Sequence, residues 1–457
     1  MRTQFLKTLT GFRNRLSPAQ VLVLGFFFFI ISGAILLSLP LSSSSKRATP
    51  IVDALFTATS AICVTGLIVV DPGSYFSLFG QLVLLTLIQI GGLGYMMMST
   101  LLALLIGKRI TFKDRLVIRE SLQSSSFAGL VHFVIFAFKI IILFEAIGVV
   151  FLAFRFVPQY GWLKGLYFSI FHSISAFCNA GFSLFSTNLL SYSADWLVVP
   201  VISFLIIIGG IGYPVINDIR LNRRWRKFSL HSKVVLISTS LLILGGTVFI
   251  FLLESGNANS LAELSFKEKI LASFFQAVTP RTAGFNTLNT GLLSETTLFL
   301  LIGLMFVGAS PGGTGGGIKT TTLVSVINAI WLALRGKVEI QFLHRRLAKE
   351  NISRSFILFS VALLWLTVAT FFLLLLEKKN FINILFEATS AFGTVGLSTG
   401  VPGSNLSLCS LFRVTSKVIM IVTMFIGRVG LLTVGTAFIE ENEKGRVRYA
   451  EEKILIG

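Results

Sequence analysis

The chain has 457 residues, of which 54% are apolar and 13% charged, and a formal net charge of +19. A soluble protein of this length needs a charged exterior that such a composition cannot supply, so a water-soluble enzyme or binding domain is excluded. The surplus of Lys and Arg then marks membrane topology, and the dense run Arg220–Lys227 carries no nucleic-acid assignment.

The predicted elements follow in chain order. Val21–Leu39 comes after a basic N-terminus, is long for a cleaved signal and lacks a small-residue cleavage site, so it predicts a retained spanning helix. Ser77–Ile106 exceeds one crossing and must tilt or extend beyond the lipid. Trp196–Ile216, Val234–Leu253 and Ser355–Leu376 each approach or exceed the roughly 20 residues that cross a bilayer. Alternating with these hairpins are five basic segments, 1–18, 107–125, 219–233, 335–354 and 440–457, which hold 4, 5, 6, 6 and 4 Lys/Arg, or 25 of the 39. The positive-inside rule puts all five, and both termini, in the cytoplasm. Cys63, Cys178 and Cys409 are too few, and too apolar in setting, for a disulfide framework.

A fourfold repeat organises the chain. Phe followed ten residues later by Gly recurs as Phe56/Gly66, Phe171/Gly181, Phe274/Gly284 and Phe386/Gly396, with the glycines 115, 103 and 112 residues apart. Ser60-Ala61, Ser175-Ala176 and Ser390-Ala391 share one offset, where the third copy has Val278-Thr279. A large apolar residue follows each glycine: Leu67, Phe182, Phe285 or Leu397. Downstream, Ile90-Gly-Gly-Leu-Gly-Tyr95 is echoed by Ile208-Gly-Gly-Ile-Gly-Tyr213. Each unit reads as a spanning helix, a short re-entrant helix, an extended loop at the glycine and a second spanning helix. The expected fold is an all-α integral membrane protein of four helix–pore loop–helix repeats, eight transmembrane helices around a central pore with pseudo-fourfold symmetry. Its units are the N-terminus 1–18, repeats 19–125, 126–230, 231–350 and 351–440, and the C-terminus 441–457.

The loops are Val64, Thr65, Gly66; Asn179, Ala180, Gly181; Thr282, Ala283, Gly284; and Thr394, Val395, Gly396. None offers a carboxylate or imidazole, so what they share is backbone. Glycine adopts positive φ without a Cβ clash, which lets successive carbonyls turn toward one axis. Rings of carbonyl oxygens replace the hydration shell of an alkali cation, and the short helices aim the negative ends of their dipoles at it.

These loops, above all Val64-Thr-Gly-Leu67 and Thr279-Pro-Arg-Thr-Ala-Gly-Phe-Asn286, resemble the filters of the Trk/Ktr/HKT family of cation transporters over about the whole chain. The length and eight spans are most similar to the KtrB-type membrane subunits. The resemblance implies one K+ site formed by filter backbone, with Gly66 in place of the serine of Na+-preferring plant relatives. It implies a multi-pass protein of the bacterial inner membrane, a homodimer in the lipid bilayer, and a cytosolic nucleotide-binding KtrA-type ring as partner. The chain itself has no cofactor, and K+, with or without Na+ coupling, is its cargo. Na+ or ammonium on the same scaffold is the alternative, and no His-Glu-x-x-His or carboxylate pair suggests an enzyme.

Gly308–Lys319 interrupts an apolar stretch with Pro311, Gly312, Gly313, Thr314, Gly315, Gly316 and Gly317, which helix cannot traverse. Gly313–Thr320 lacks the glycine before Lys319 that a phosphate-binding loop needs. The break reads as a movable constriction, and the resemblance implies a gate there that meets Arg428. Arg428 lies in the apolar Phe425-Ile-Gly-Arg-Val-Gly430, where an intramembrane arginine is either functional or structurally paired. Lys139 and Glu145, on opposite faces of one predicted helix, stay unassigned. His172 in the second short helix is expected to pack behind the loop, with Thr57, Phe275 and Glu387 as its equivalents.

Overall fold

A computed structural model describes residues 16–94, 96–98, 100, 101, 116, 130–336, 341–343, 345, 346, 348–401 and 406–438. The basic segment 440–457, all but residue 116 of 107–125, most of 1–18 and the end of the Ser77–Ile106 run therefore lie outside the described residues.

The described elements fall into four groups. The first holds α1 (Pro18–Ser38), α2 (Ile51–Ile62) and α3 (Leu78–Leu93). The second holds α4 (Leu130–Tyr160), α5 (Trp162–Phe177), α6 (Val198–Ile211) and α7 (Tyr213–Asn222). The third holds α8 (Leu230–Glu254), α9 (Phe266–Val278), α10 (Glu295–Phe306) and α11 (Thr320–Leu334). The fourth holds α12 (Lys349–Glu377), α13 (Phe381–Gly393), α14 (Val414–Val429) and α15 (Leu431–Phe438). A two-residue antiparallel pairing, Gln341–Phe342 with Arg345–Arg346, sits in the basic segment before α12.

Helices α1, α4, α8 and α12 are each long and apolar enough to cross a membrane. Their large side chains are displayed outward, among them Phe28, Phe154, Leu241 and Leu364, which suits hydrocarbon and not water. Their ends follow local chemistry. Ser17 closes a capping box with Gln20 ahead of Pro18 at α1, and Ser229 accepts the Ser232 N–H at α8. The short helix α9 starts on a capping box of Ser265 and Glu268.

The apolar run after each glycine loop is interrupted by a break in the second, third and fourth groups and ends its described helix at Gly94 in the first, and only the third break was expected. Trp196–Ile216 is not one straight span: α6 stops at Gly212 (φ +98°) and α7 leaves at 92°. Likewise α14 stops at Gly430 (φ +94°) and α15 leaves at 99°, while α3 stops at Gly94 (φ +76°). These are the last glycines of the Gly-Gly-x-Gly echoes and of Gly-Arg-Val-Gly. The first glycines of the same motifs, Gly91, Gly209 and Gly427, abut the carbonyls of Ile62, Phe177 and Phe392, leaving no room for a Cβ. Small residues there seat each second helix on the end of a short one.

The core corrects the register of the third repeat. Phe56, Phe171 and Phe386 are fully buried, and their counterpart is Phe275, also fully buried, while Phe274 is partly exposed. The third repeat is therefore one residue shorter between Phe and Gly, and the equivalent of His172 is Gln276, not Phe275. Phe275→Ala is expected to destabilise by about 3–5 kcal/mol through the cavity it leaves, and Phe274→Ala by less than half of that. Melting curves of the two variants in detergent check this ranking, and equal midpoints would refute the register.

Candidate functional site

The four short helices end directly before the four glycine loops, and all four loops share one backbone conformation. The residue two before each glycine has positive φ: Val64 +55°, Asn179 +59°, Thr282 +64° and Thr394 +50°. So do the glycines themselves: Gly66 +89°, Gly181 +69°, Gly284 +75° and Gly396 +90°. Three of the four non-glycine residues are Val or Thr, for which a left-handed backbone is an outlier that the surroundings must enforce.

Hydrogen bonds from the preceding short helix supply that enforcement. The Ser60, Ser175 and Ser390 carbonyls accept the N–H of Thr65, Ala180 and Val395 at 2.7, 2.8 and 2.8 Å. Ser60 Oγ and Ser390 Oγ accept the Gly66 and Gly396 N–H groups at 3.0 Å. Ser175 Oγ donates to the Phe182 carbonyl at 2.7 Å, and Thr279 Oγ1 donates to the Phe285 carbonyl at 2.5 Å. With the shorter third register, Thr279 takes the place of the three serines.

The loops touch in cyclic order. A Cβ built on Gly66 would collide with the Ala180 carbonyl oxygen, and one on Gly181 with that of Ala283. One on Gly284 would meet Val395, and one on Gly396 would meet Thr65, which closes the circle. The same four positions would lie 3.1, 3.0, 3.1 and 2.9 Å from the Cα of the next glycine. All twelve loop residues named from the sequence are thus brought together. Thr65 Oγ1 and Asn179 Oδ1, both buried beside this ring, have no hydrogen-bond partner.

The Gly-rich segment packs against these loops. Its ends are joined by a bridge between Val307 and Ile318, and the Gly308 N–H donates to the Ile318 carbonyl at 2.9 Å. Gly316 N–H donates to Thr394 Oγ1 at 3.0 Å, Thr314 Oγ1 donates to the Phe177 carbonyl at 3.3 Å, and a Cβ on Gly315 would collide with Thr282 Oγ1. Lys319 Nζ donates to the Gly315 carbonyl at 2.8 Å. Arg428 donates to the carbonyls of Thr314 and Gly91, so one side chain of the fourth group ties the segment to the first. Gly312, Gly313, Gly315, Gly317, Lys319 and Arg428 line a cavity of about 180 Å³, which shares no lining residue with another of about 80 Å³ at the glycine ring.

His172 stands behind the second loop, its Nδ1 2.8 Å from the Phe168 carbonyl, its Nε2 3.0 Å from Ser183 Oγ and its ring stacked on Phe185. Glu387 does the same for the fourth loop, accepting from Ser398 Oγ at 2.5 Å, Thr399 N–H at 3.0 Å and Cys409 at 3.1 Å. Glu145 is buried and accepts from Gln89 at 3.3 Å, while Lys139 is exposed, so the two do not pair. Sequence reasoning missed the ion pair of Asp53 with Lys417 at 2.7 Å, which joins α2 to α14. No spacing signals a contact across 364 residues.

Residues 17–448 match the TrkH family, described as cation transport proteins. The Ktr system potassium uptake protein B of Bacillus subtilis is 43% identical over 443 residues, 97% of each chain. The potassium/sodium uptake protein NtpJ of Enterococcus hirae is 39% identical over 97% of this chain and 98% of its own. The crystal structure of the potassium transporter TrkH from Vibrio parahaemolyticus matches 91% of this chain and 85% of its own with a TM-score of 0.68, at 18% identity, a likeness of fold.

Proposed function

The chain belongs to the TrkH family of cation transport proteins, which are ion transporters and not enzymes, and from that premise we propose that it is the pore-forming subunit of a Ktr-type K+ uptake system. Four helix–pore loop–helix repeats with pseudo-fourfold symmetry supply eight spans, the broken second helices counting as one span each. The observation that carries this reading is the closed ring of four glycine loops with one shared backbone conformation. Backbone carbonyls of Val64–Gly66, Asn179–Gly181, Thr282–Gly284 and Thr394–Gly396 replace the water around a dehydrated K+. Gly312–Gly317 forms the gate beneath them, latched by Arg428 and Lys319. A homodimer and a cytosolic KtrA-type nucleotide-binding ring complete the system, with both termini on the cytoplasmic side of the bacterial inner membrane.

A second cation deserves its own arm, because a relative carries potassium/sodium in its name. Coupling to Na+ and conduction of Na+ are separate outcomes. The test is K+ uptake against competing Na+ in cells stripped of their own K+ systems, with a cytosolic ring supplied. Rescue at low external K+ that excess Na+ does not inhibit supports the K+ reading. Stimulation of that rescue by Na+ identifies coupling, and absence of rescue in every condition removes K+ as cargo.

A further inference from the structure

The smaller cavity, about 80 Å³ at the glycine ring, is walled by residues that follow the glycines in all four repeats. Its described lining includes one ionisable side chain, Asp71, five residues after Gly66. The matching positions after the other glycines hold Ser186, Asn289 and Val401, so the carboxylate belongs to the first repeat alone. We propose that Asp71 is the centre of a subsite for a hydrated monovalent cation on the extracellular side of the ring, from which the ring is loaded. The inference rests on the pore reading above and adds to it a specific residue outside the twelve loop positions.

Three observations support it. Asp71 is held in place: Oδ1 accepts the Gly73 N–H at 3.2 Å, and Oδ2 accepts Ser74 Oγ at 2.6 Å and Ser186 Oγ at 2.8 Å. No cationic side chain lies within ion-pair distance of it among the described residues, so neutral donors fix the carboxylate without cancelling its charge. Two further oxygens on the same wall, Asn188 Oδ1 and Thr290 Oγ1, have no hydrogen-bond partner. A concave, polar mouth with one uncompensated carboxylate concentrates cations ahead of the ring. Such a site keeps the ion's water, since one carboxylate and scattered oxygens cannot replace a full hydration shell.

The test is K+ influx as a function of external K+ in uptake-deficient cells carrying the full chain and its cytosolic partner. Native, Asp71→Asn and Asp71→Glu chains are compared at low and high ionic strength, adjusted with N-methylglucamine chloride. Asparagine keeps the acceptor that caps the turn Pro72–Tyr75, so the loop is preserved. The half-saturating K+ concentration of Asp71→Asn is expected to rise roughly fivefold at low ionic strength, the size of a unit-charge contact at aqueous dielectric. The gap closes as salt screens the mouth, and Asp71→Glu restores most of the native value. Equal half-saturation for Asn and native chains at low ionic strength overturns the subsite and leaves the pore reading intact. A loss in Asp71→Asn that ionic strength does not change assigns Asp71 to loop support and also overturns it. No influx through the native chain defeats the pore reading, and the subsite with it.

Discussion

Gly66→Ser is expected to cut K+ uptake by roughly tenfold or more and to weaken its preference for K+ over Na+. Gly66 has a φ of +89°, where an L-residue is strained by about 1–2 kcal/mol, and its missing Cβ position is taken by the Ala180 carbonyl oxygen. The added side chain therefore strains its own loop and pushes the second loop at the oxygen proposed to face the ion. Because the four loops touch in a circle, relaxation of one displaces the next, and the cage loses the spacing that sets selectivity. Gly284→Asp should act in the same way on the Val395 carbonyl, with a charge in addition. The control is Gly245→Ala on the long helix α8, where a Cβ meets nothing within 4 Å. Alanine there favours helix by up to about 1 kcal/mol and should leave uptake native. Initial rates normalised to membrane-inserted protein, with Na+ competition, decide the matter. Native rates and selectivity in Gly66→Ser would remove the ring as the filter.

Much of this architecture was legible because a glycine loop that follows a short helix leaves a local signature. The Ser60 hydroxyl accepts the Gly66 N–H six residues on, so the Phe–Ser–Gly spacing survives in the sequence and recurs unchanged in the second and fourth units. The third repeat shows the limit of spacing alone. Phe274 and Phe275 are adjacent, the pattern chose the wrong one, and burial separates them. The breaks at Gly94 and Gly212 fall on the last glycine of the two Gly-Gly-x-Gly echoes and the break at Gly430 on the last of Gly-Arg-Val-Gly, but the motif alone does not show that the helix turns there. The contact that requires a glycine at such a bend comes from elsewhere in the chain: the Pro311 carbonyl fills the Cβ position of Gly212, and Pro311 is 99 residues away in sequence. The pairing of Asp53 with Lys417 was hidden for the same reason. Local backbone chemistry is readable from one chain, and contacts between repeats are not.

Arg428→Gln is expected to raise K+ flux at least tenfold when no cytosolic partner is supplied, where the proposed gate should leave the native chain nearly closed. Two features of the arginine bear on the proposed pathway. Its guanidinium donates to the carbonyls of Thr314 and Gly91, pinning the Gly-rich segment against the break of α3. Its charge also lines the 180 Å³ cavity through which a cation would leave the ring, and two unit charges 4 Å apart repel by about 4 kcal/mol at an effective dielectric of 20. Arg428→Lys separates latch from barrier. Lysine keeps the charge but not the planar fork that reaches two carbonyls at once. If Lys behaves as native and Gln leaks, the charge is the barrier; if both leak, the bridge is the latch. Deleting Gly315 and Gly316 should leak by loss of the latch alone, since it removes the Gly316 N–H bond to Thr394 and the acceptor of Lys319 while leaving the charge of Arg428 in place. Single-turnover efflux from loaded proteoliposomes measures all three variants on one scale. Flux at or below native in Arg428→Gln, with normal insertion and melting, would strip the arginine of both roles and leave the Gly-rich segment as a structural plug with its own intrinsic stability.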